Sequence, residues 1–364
     1  MTLVADLDDL GIEGPMHSVF NSYDRIVTAA PRYQLQPNIR KTRVFSYNPP
    51  TPALKEECAR RRLQLEEGEI MEWLGGLIGH LDSDAAKEWC LRQVEELRVP
   101  LFEKALTAQS YASRYRPESH PSLRHPKLNF LSRVLPPSTT TPALTVYDEM
   151  VSAFFMKKFH CSSLDQGAKL QLHLPVSGEG GFGFTSSSQL AHAAYTSSLL
   201  LAMPRLASLH DTHPNAPVFR RLDSCLAYLF AHGVPTGKHL PSNDCVSSFR
   251  ESGRNTFKIQ HWLTQQLHAA ETKAFLSSND KDPNYLRYTG ARLKSAGGSH
   301  ASDWLLQLQP PHYALSEQEM DYASRLRLGD PLCPPDTQCP KCNKPLSSPG
   351  DSFHHLCWCH HVRQ

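Results

Sequence analysis

Residues 141–155 read TPALTVYDEMVSAFF. Apolar side chains recur in this stretch every three or four residues, at Leu144, Tyr147, Val151 and Phe154 or Phe155. This spacing places them on one face of a helix. Thr141 and Pro142 suit the N-cap and the first helical position. The stretch therefore predicts an amphipathic helix that begins at Thr141.

The same periodicity recurs along most of the chain. Between residues 84 and 98, one helix face would carry Ala86, Trp89, Cys90, Val94 and Leu97. Ser83 suits the cap of that helix and Pro100 its end. Further helices are predicted over much of 101–135, from Ser186 to about Pro204, between 216 and 277, and over 316–327. Because strand patterns are short and lie mainly at the N-terminus, the expected fold class is mainly α with a small N-terminal β remnant (α+β).

Length, charge and cysteine usage narrow the class of protein. A chain of 364 residues suggests two or three domains, and a net charge of +2 means that any nucleic-acid site must concentrate its basic residues locally. The first 24 residues hold five acids and no Lys or Arg, which excludes a signal peptide. The densest apolar run, Leu199–Met203, is far shorter than the ~20 residues of a membrane span. Five scattered cysteines indicate a reducing compartment, nuclear or cytoplasmic.

The other five cysteines lie between Cys333 and Cys359, among histidines, and predict a metal site. Cys339 and Cys342 form a Cys-x2-Cys pair, which brings two thiolates to one ion. A histidine and a later cysteine would complete a tetrahedral structural Zn²⁺ site, and we favour His354 and Cys359 for their x4 spacing. His355 and Cys357 remain alternatives. So small a segment has little core, so the metal would supply its folding free energy.

Two further patterns point to phosphate chemistry. Asp8 and Asp9 lie between apolar residues, and such a pair can sit at a hairpin tip and hold a divalent metal. An exposed acidic terminus would explain the pair equally well. Residues 31–66 form a basic strip interleaved with Tyr33, Phe45 and Tyr47, as a nucleic-acid track requires. The expected binding residues are Arg40, Lys41, Arg43, Arg60 and Arg61, and the alternative is a solvated basic face.

The stretch Gly178–Gly183 matches the dinucleotide signature G-x-G-x-x-G and precedes a predicted helix. Leu170, Leu172 and Leu174 alternate with polar residues just before it, which suggests an exposed edge segment and not a strand buried in a parallel sheet. Pro175 interrupts the stretch and no acid follows about 20 residues later. A glycine-rich turn that packs closely against a helix is the favoured interpretation.

Taken in order, these blocks resemble the C-terminal part of non-LTR retrotransposon reverse transcriptases. Asp6-Leu7-Asp8-Asp9 is similar to the polymerase aspartate box, Lys41-Thr42 to the Lys-Ser/Thr that follows it, and Trp73–Gly79 to the hairpin beyond the palm. Lys127–Pro137 resembles a thumb-region helix. Leu174–Val176 with Gly180–Phe184 is similar to the family's Leu-Pro and Gly-Gly-Leu-Gly-Leu segment, and Arg325–Gly329 leads into the cysteine motif. Asp6 replaces an aromatic residue of the box and Leu77 a proline of the hairpin.

The resemblance implies a palm remnant in residues 1–80, a helical thumb-like body in 81–315, and a zinc-knuckle module in 316–364. Asp8 and Asp9 would be vestigial catalytic residues. Mg²⁺ would matter only if the polymerase site were completed, because the family's first metal-binding aspartate belongs to a block before the aspartate box. The expected partner is RNA or DNA, with no membrane and no small-molecule substrate, and no polymerase activity is expected from this chain alone.

Three other hypotheses remain open at this stage. The chain could be a polymerase subunit completed in trans by a partner that carries the missing palm. It could be a zinc-stabilised protein–protein interaction module, whose binding would not weaken as salt rises. It could also be a small-molecule enzyme that uses the glycine loop, which nicotinamide-cofactor binding would reveal.

Overall fold

The computed structural model describes residues 2–6, 9–107, 126–161, 163–176, 178–212, 216–235, 259–278, 289–306, 315–330, 332, 336–339 and 343. These residues are mostly helical, with a few short strands, so the mainly α prediction is confirmed. The chain divides into an N-terminal unit, Met1–Ala86, and a C-terminal unit, Lys87–Gln364. Among the described helices, none is long and apolar enough to cross a membrane.

The N-terminal unit contains the strands, in three two-stranded sheets. Its elements are β1 (Thr2–Asp6), β2 (Asp9–Glu13), α1 (Met16–Ala29), a 3-10 helix (Ala30–Tyr33), β3 (Arg43–Phe45), α2 (Pro52–Arg61), β4 (Gln64–Glu66), β5 (Ile70–Trp73) and β6 (Gly76–Gly79). The β1–β2 and β5–β6 pairs are antiparallel hairpins, whereas β3 and β4 run parallel with α2 between them. A small core of Phe20, Leu54, Cys58 and Leu63 joins α1 to α2.

The β5–β6 hairpin turns on Leu74 and Gly75, both with positive φ, at 50° and 74°. Two consecutive residues of this conformation make the tight turn that matches the twist of a hairpin. A hairpin is therefore present at Trp73–Gly79, the stretch that resembles a hairpin of the reverse transcriptases.

The C-terminal unit is a bundle of helices. They are α3 (Asp84–Thr107), α4 (Pro126–Val134), α5 (Pro137–Lys158), α6 (Gln166–His173), α7 (Ser187–Thr212), α8 (Pro217–Ala231), α9 (Ile259–Ser278), α10 (Ala291–Ala296), α11 (Asp303–Leu306) and α12 (Glu317–Leu328). α7 is central, since α4, α5, α8 and α9 all pack against it. Leu200, Leu222, Leu229 and Leu263 lie in the core between α7, α8 and α9.

Several predicted helix ends are wrong, and prolines explain most of the errors. α5 begins at Pro137, not at Thr141, so Pro142 lies inside the helix. Both Pro137 and Pro142 suit the first position of a helix. The start at Pro137 is favoured because it places Thr139 and Thr140 in the first turn, where both are buried. Pro142 cannot donate to the carbonyl four residues back, but one lost hydrogen bond does not end a helix this well packed. α3 and α7 likewise continue past Pro100 and Pro204.

The segment before the glycine stretch is also not the exposed edge that its alternation suggested. It forms α6, and Asp165 caps it by accepting the Ala168 N–H at 2.6 Å. Gln171 and Leu172 are both fully buried, together with Ala168. Residues 168, 171 and 172 share one buried face of the helix. The sequence pattern concealed this face because Gln171, one of its members, is polar.

Candidate nucleic-acid interface

The N-terminal unit carries an uninterrupted run of sequence without acidic residues. From Arg25 to Lys55 the chain has six basic residues and no Asp or Glu. We call residues 30–43, the 3-10 helix and the loop that leads to β3, the basic segment. Arg25, an exposed residue of α1, was not among the predicted binding residues. The signal that points to it is the lack of acids in the 30 residues that follow it.

Cations in and beside the basic segment are open to solvent. Arg25, Arg32, Arg40 and Lys41 are exposed, and within the described part of the chain none of them forms an ion pair. Arg43 pairs with Glu66 at 3.2 Å, with about half of its side chain still exposed. Exposed pairs of this kind contribute little to stability and are readily exchanged. Arg40, Lys41 and Arg43 therefore remain accessible to a polyanion.

Arg60 and Arg61 lie in a different environment, at the end of α2. The Arg61 guanidinium donates to both carboxylate oxygens of Asp24, at 2.9 and 2.6 Å, and also to Glu57. It lies 4.6 Å from the ring centre of Phe20, and only 10% of its side chain is exposed. Arg60 donates to the same Glu57 at 2.6 Å. Arg61 thus joins α2 to α1, and little of it is left for an external phosphate.

Hydrogen bonds from Arg60 and Arg61 lower the pKa values of the carboxyl groups that accept them. The pKa of Asp24 is lowered chiefly by its hydrogen bond from Arg61, and the pKa of Glu57 is lowered by hydrogen bonds from Arg61 and then Arg60. Both carboxyl groups therefore stay ionised across the neutral range and hold their arginines in place.

The three aromatic residues of the predicted strip also separate. Tyr33 is 73% exposed and ends the 3-10 helix. Phe45 and Tyr47 lie edge to face, with ring centres 5.4 Å apart, and Tyr47 also meets the edge of His80. Burial, and then Glu13, raises the pKa of Tyr47. Tyr33 is the ring with the most open surface.

The predicted acidic hairpin is present in the backbone. Asp6 ends β1 and pairs in register with Asp9, which opens β2. Leu7 and Asp8, which connect the two strands, lie outside the described residues. The metal-binding roles of Asp8 and Asp9 stay predictions.

The cysteine motif is described only at its first turn. Cys339 is 1% exposed, and the Asn343 N–H donates to the Cys339 carbonyl at 2.9 Å. Asn343 has a φ of 52°. Residues 340–342 lie outside the described part of the chain, so the placing of the two thiolates of the Cys-x2-Cys pair stays a prediction. Cys342, His354, His355, Cys357 and Cys359 lie outside the described residues, and elsewhere no group of three or more ligand side chains is found.

The glycine stretch is a packing element. The N–H groups of Gly181, Phe182, Gly183 and Phe184 donate to carbonyls of residues 171–175, at 2.8–3.2 Å. These N–H groups are therefore not directed at a phosphate, as a dinucleotide site requires. A Cβ on Gly181 would overlap the carbonyl of Leu174.

A buried arginine holds the other side of this stretch. Arg327 of α12 donates to the Gly181 carbonyl at 3.1 Å and to Ser302 Oγ at 2.8 Å. Its guanidinium also lies over the rings of Phe182 and Trp304. Burial lowers the pKa of Arg327 to about 10, so it stays charged at neutral pH. These contacts favour the interpretation of a glycine-rich turn that packs a helix.

The N-terminal unit thus presents exposed positive charge at Arg32, Arg40 and Lys41, and an exposed ring at Tyr33. Cations bind phosphates and rings stack on bases, so these features suit a nucleic acid. No protein-family model matches the chain, and no curated protein or solved structure is detectably similar to it.

Proposed function

We propose that this chain is a retroelement-derived, reverse-transcriptase-like protein that binds RNA or DNA and does not polymerise nucleic acid by itself. The single observation that carries the binding function is the acid-free basic segment with its exposed Arg32, Arg40 and Lys41. The identity as a retroelement remnant rests on the order of the sequence blocks.

Electrostatics support a polyanionic partner. A basic residue without a nearby acid keeps its full attraction for an incoming phosphate, and each phosphate it neutralises releases a condensed counterion. Arg40 and Lys41 are adjacent, and Arg43 follows two residues later. A nucleic-acid backbone supplies negative charge at closely repeated positions, so several of these cations can bind one strand.

The elements found at the matching blocks support the retroelement origin. The aspartate box falls on the β1–β2 hairpin, and Trp73–Gly79 falls on the β5–β6 hairpin. Lys127–Pro137, the block similar to a thumb-region helix, falls mainly on α4. These elements have the type and order that the resemblance implies.

The C-terminal cysteines extend the proposal to a zinc knuckle. Cys339, Cys342, His354 and Cys359 would hold a structural Zn²⁺, and the support is their spacing in the sequence, a Cys-x2-Cys pair followed by His-x4-Cys. Zinc bound there would stabilise the fold of the module and perform no chemistry.

Nucleic-acid binding is tested with a labelled oligonucleotide and the purified full chain, titrated at several salt concentrations. We expect the affinity to fall as salt rises. The combined variant Arg40→Gln/Lys41→Gln should bind more weakly, and its slope of log affinity against log salt should be smaller by about one for each lost phosphate contact.

A matched control is Lys169→Gln, since Lys169 is also an exposed lysine and lies on α6. It should leave both affinity and salt slope unchanged. Binding that does not weaken with salt, or that the Arg40/Lys41 variant retains in full, would contradict the proposal. Salt-independent capture of a protein would favour an interaction module instead.

A further inference from the structure

Tyr33 presents an aromatic ring that the fold does not use. It is 73% exposed, the largest value among the exposed large hydrophobic side chains of the described residues. Within that part of the chain no ring contact or hydrogen bond involves its side chain. A ring left in water forgoes the favourable free energy that burial would give it. An external partner that covers the ring of Tyr33 would recover this free energy.

The backbone beneath Tyr33 is held in place. Gln34 adopts the left-handed conformation, with a φ of 59°, and its N–H donates to the Pro31 carbonyl at 3.2 Å. The Leu35 N–H donates to the carbonyl of Ala30, a buried residue, at 3.1 Å. Proline at position 31 restricts the turn further. The ring is therefore presented from a rigid base, which reduces the entropy lost when it stacks.

A second turn fixes the backbone that carries the cations. The Lys41 and Thr42 N–H groups donate to the Asn38 carbonyl at 3.0 and 3.1 Å, and the Thr42 hydroxyl donates to it at 3.0 Å. Arg40 and Lys41 lie within this turn and are exposed. Arg40 is the seventh residue after Tyr33, so their backbones lie at most about 25 Å apart. One short oligonucleotide can span that distance.

We propose that the basic segment binds single-stranded RNA or DNA, with Tyr33 stacked on an unpaired base and Arg32, Arg40 and Lys41 bound to the flanking phosphates. The inference rests on the proposed nucleic-acid binding and adds the strandedness of the partner. Bases in a duplex are stacked on one another and hide their faces, whereas a single strand offers them.

The other aromatic residues argue for Tyr33 as the stacking residue. Phe45 and Tyr47 already contact each other, and a Cβ on Gly79 would meet the Phe45 ring, so that ring packs against β6. The positive charge from Arg25 to Lys55, with no acid among those residues, disfavours a basic protein surface as the partner of Tyr33. Leu35, two residues after Tyr33, is 62% exposed and adds apolar surface to the same segment.

The test compares a labelled single strand of about 12 nucleotides with the duplex of the same sequence, using the full chain. Tyr33→Ala should weaken single-strand binding about tenfold, because stacking of this kind commonly contributes that much. Tyr33→Phe should stay within about twofold of the wild type, since it keeps the ring. Duplex binding should not respond to Tyr33→Ala.

Tyr322→Ala is the matched control, because Tyr322 is a 44% exposed tyrosine of α12, far along the sequence from the basic segment. It should leave single-strand affinity unchanged. Two results overturn the inference while sparing the proposed function: salt-dependent binding that Tyr33→Ala leaves intact, and equal losses on single strand and duplex. Absence of binding to either nucleic acid overturns both proposals, and circular dichroism of Tyr33→Ala excludes misfolding as the cause of a loss.

Discussion

Asp148 caps a helix other than its own. It lies in α5, yet its carboxylate accepts the N–H groups of Ser187 at 2.8 Å and of Ser188 at 3.0 Å, in the first turn of α7. It also accepts the hydroxyls of Ser186 and Ser188. Negative charge is stabilising at a helix N-terminus, where N–H groups lack intrahelical partners. Ser186 itself accepts the Gln189 N–H at 3.3 Å, and the carboxylate of Asp148, 38 residues earlier in the sequence, completes the cap.

Two histidines of the C-terminal unit, His268, which is buried, and His192, which is half-buried, make stability depend on pH. His268 of α9 is 4% exposed, and burial, then repulsion from His173, lowers its pKa to about 4. Burial, then His232, lowers the pKa of His192 to about 4, and its ring stacks on Tyr228 at 3.5 Å. Both groups stay neutral in the folded chain while the unfolded chain takes up protons below about pH 6.5.

Because the fold lowers the pKa values of His268 and His192, it loses stability as pH falls. Stability contributed by neutral His268 is fully present above pH 6.5 and is lost as pH falls toward 4, by up to about 1.4 kcal/mol per pH unit. Glu271 acts in the opposite direction, because burial raises its pKa to about 7. Its contribution is fully present below pH 4.5 and is lost as pH rises through 7.

We expect His268→Gln to flatten the acid loss of stability between pH 6.5 and 4, because it removes one of the two rings whose pKa the fold lowers. The measurement is the free energy of unfolding in urea at several pH values. His300→Gln is the control, since the His300 side chain is 84% exposed and should leave the slope unchanged. Identical slopes for His268→Gln and the wild type would show that His268 protonates without unfolding the chain.

At the scale of elements, helices with strong local signals were predicted well. α3 has its predicted buried face of Ala86, Trp89, Cys90 and Val94, and Ser83 accepts the Ala86 N–H as its cap. α12 begins with a capping box of Ser316 and Glu319. Such signals lie within one or two turns of chain, so sequence alone can reveal them. Long-range packing, such as the burial of Thr139 and Thr140 in the first turn of α5, is not visible at that range.

The zinc knuckle is the element whose ligands need direct measurement. Metal content per chain, measured by elemental analysis, should fall in Cys342→Ser and Cys359→Ser because each would remove one of four ligands. Cys357→Ser is the matched control and should keep its zinc, since Cys357 lies two residues from Cys359 but outside the favoured ligand set. Undiminished zinc in Cys359→Ser, with loss in Cys357→Ser, would transfer the fourth position to Cys357.

At the scale of the whole molecule, the proposed absence of polymerase activity follows from how carboxylates are distributed. Two-metal phosphoryl transfer needs carboxylates that clamp both ions. Asp8 and Asp9 are adjacent in the sequence, and Asp9 opens β2, so these two carboxylates come from one short stretch of chain. We therefore expect no primer extension on an RNA template by the purified chain. Mg²⁺-dependent extension that Asp8→Asn abolishes would contradict this expectation, and extension that appears only with a co-purifying protein would favour a subunit completed in trans.

The sequence by itself determined the mainly helical class, the positions of most helices, and the clustering of basic residues and cysteines, because periodicity and residue spacing are local properties. Only the tertiary structure decided that Arg61 is held by Asp24 while Arg40 and Lys41 stay open, because that choice depends on an acid 37 residues away. The tertiary structure also placed Gln171 in a buried helix and directed the N–H groups of the glycine stretch at backbone carbonyls. The aromatic and basic residues of the strip were visible in the sequence, and the fold distinguished Tyr33 from the other two rings because Phe45 and Tyr47 contact each other.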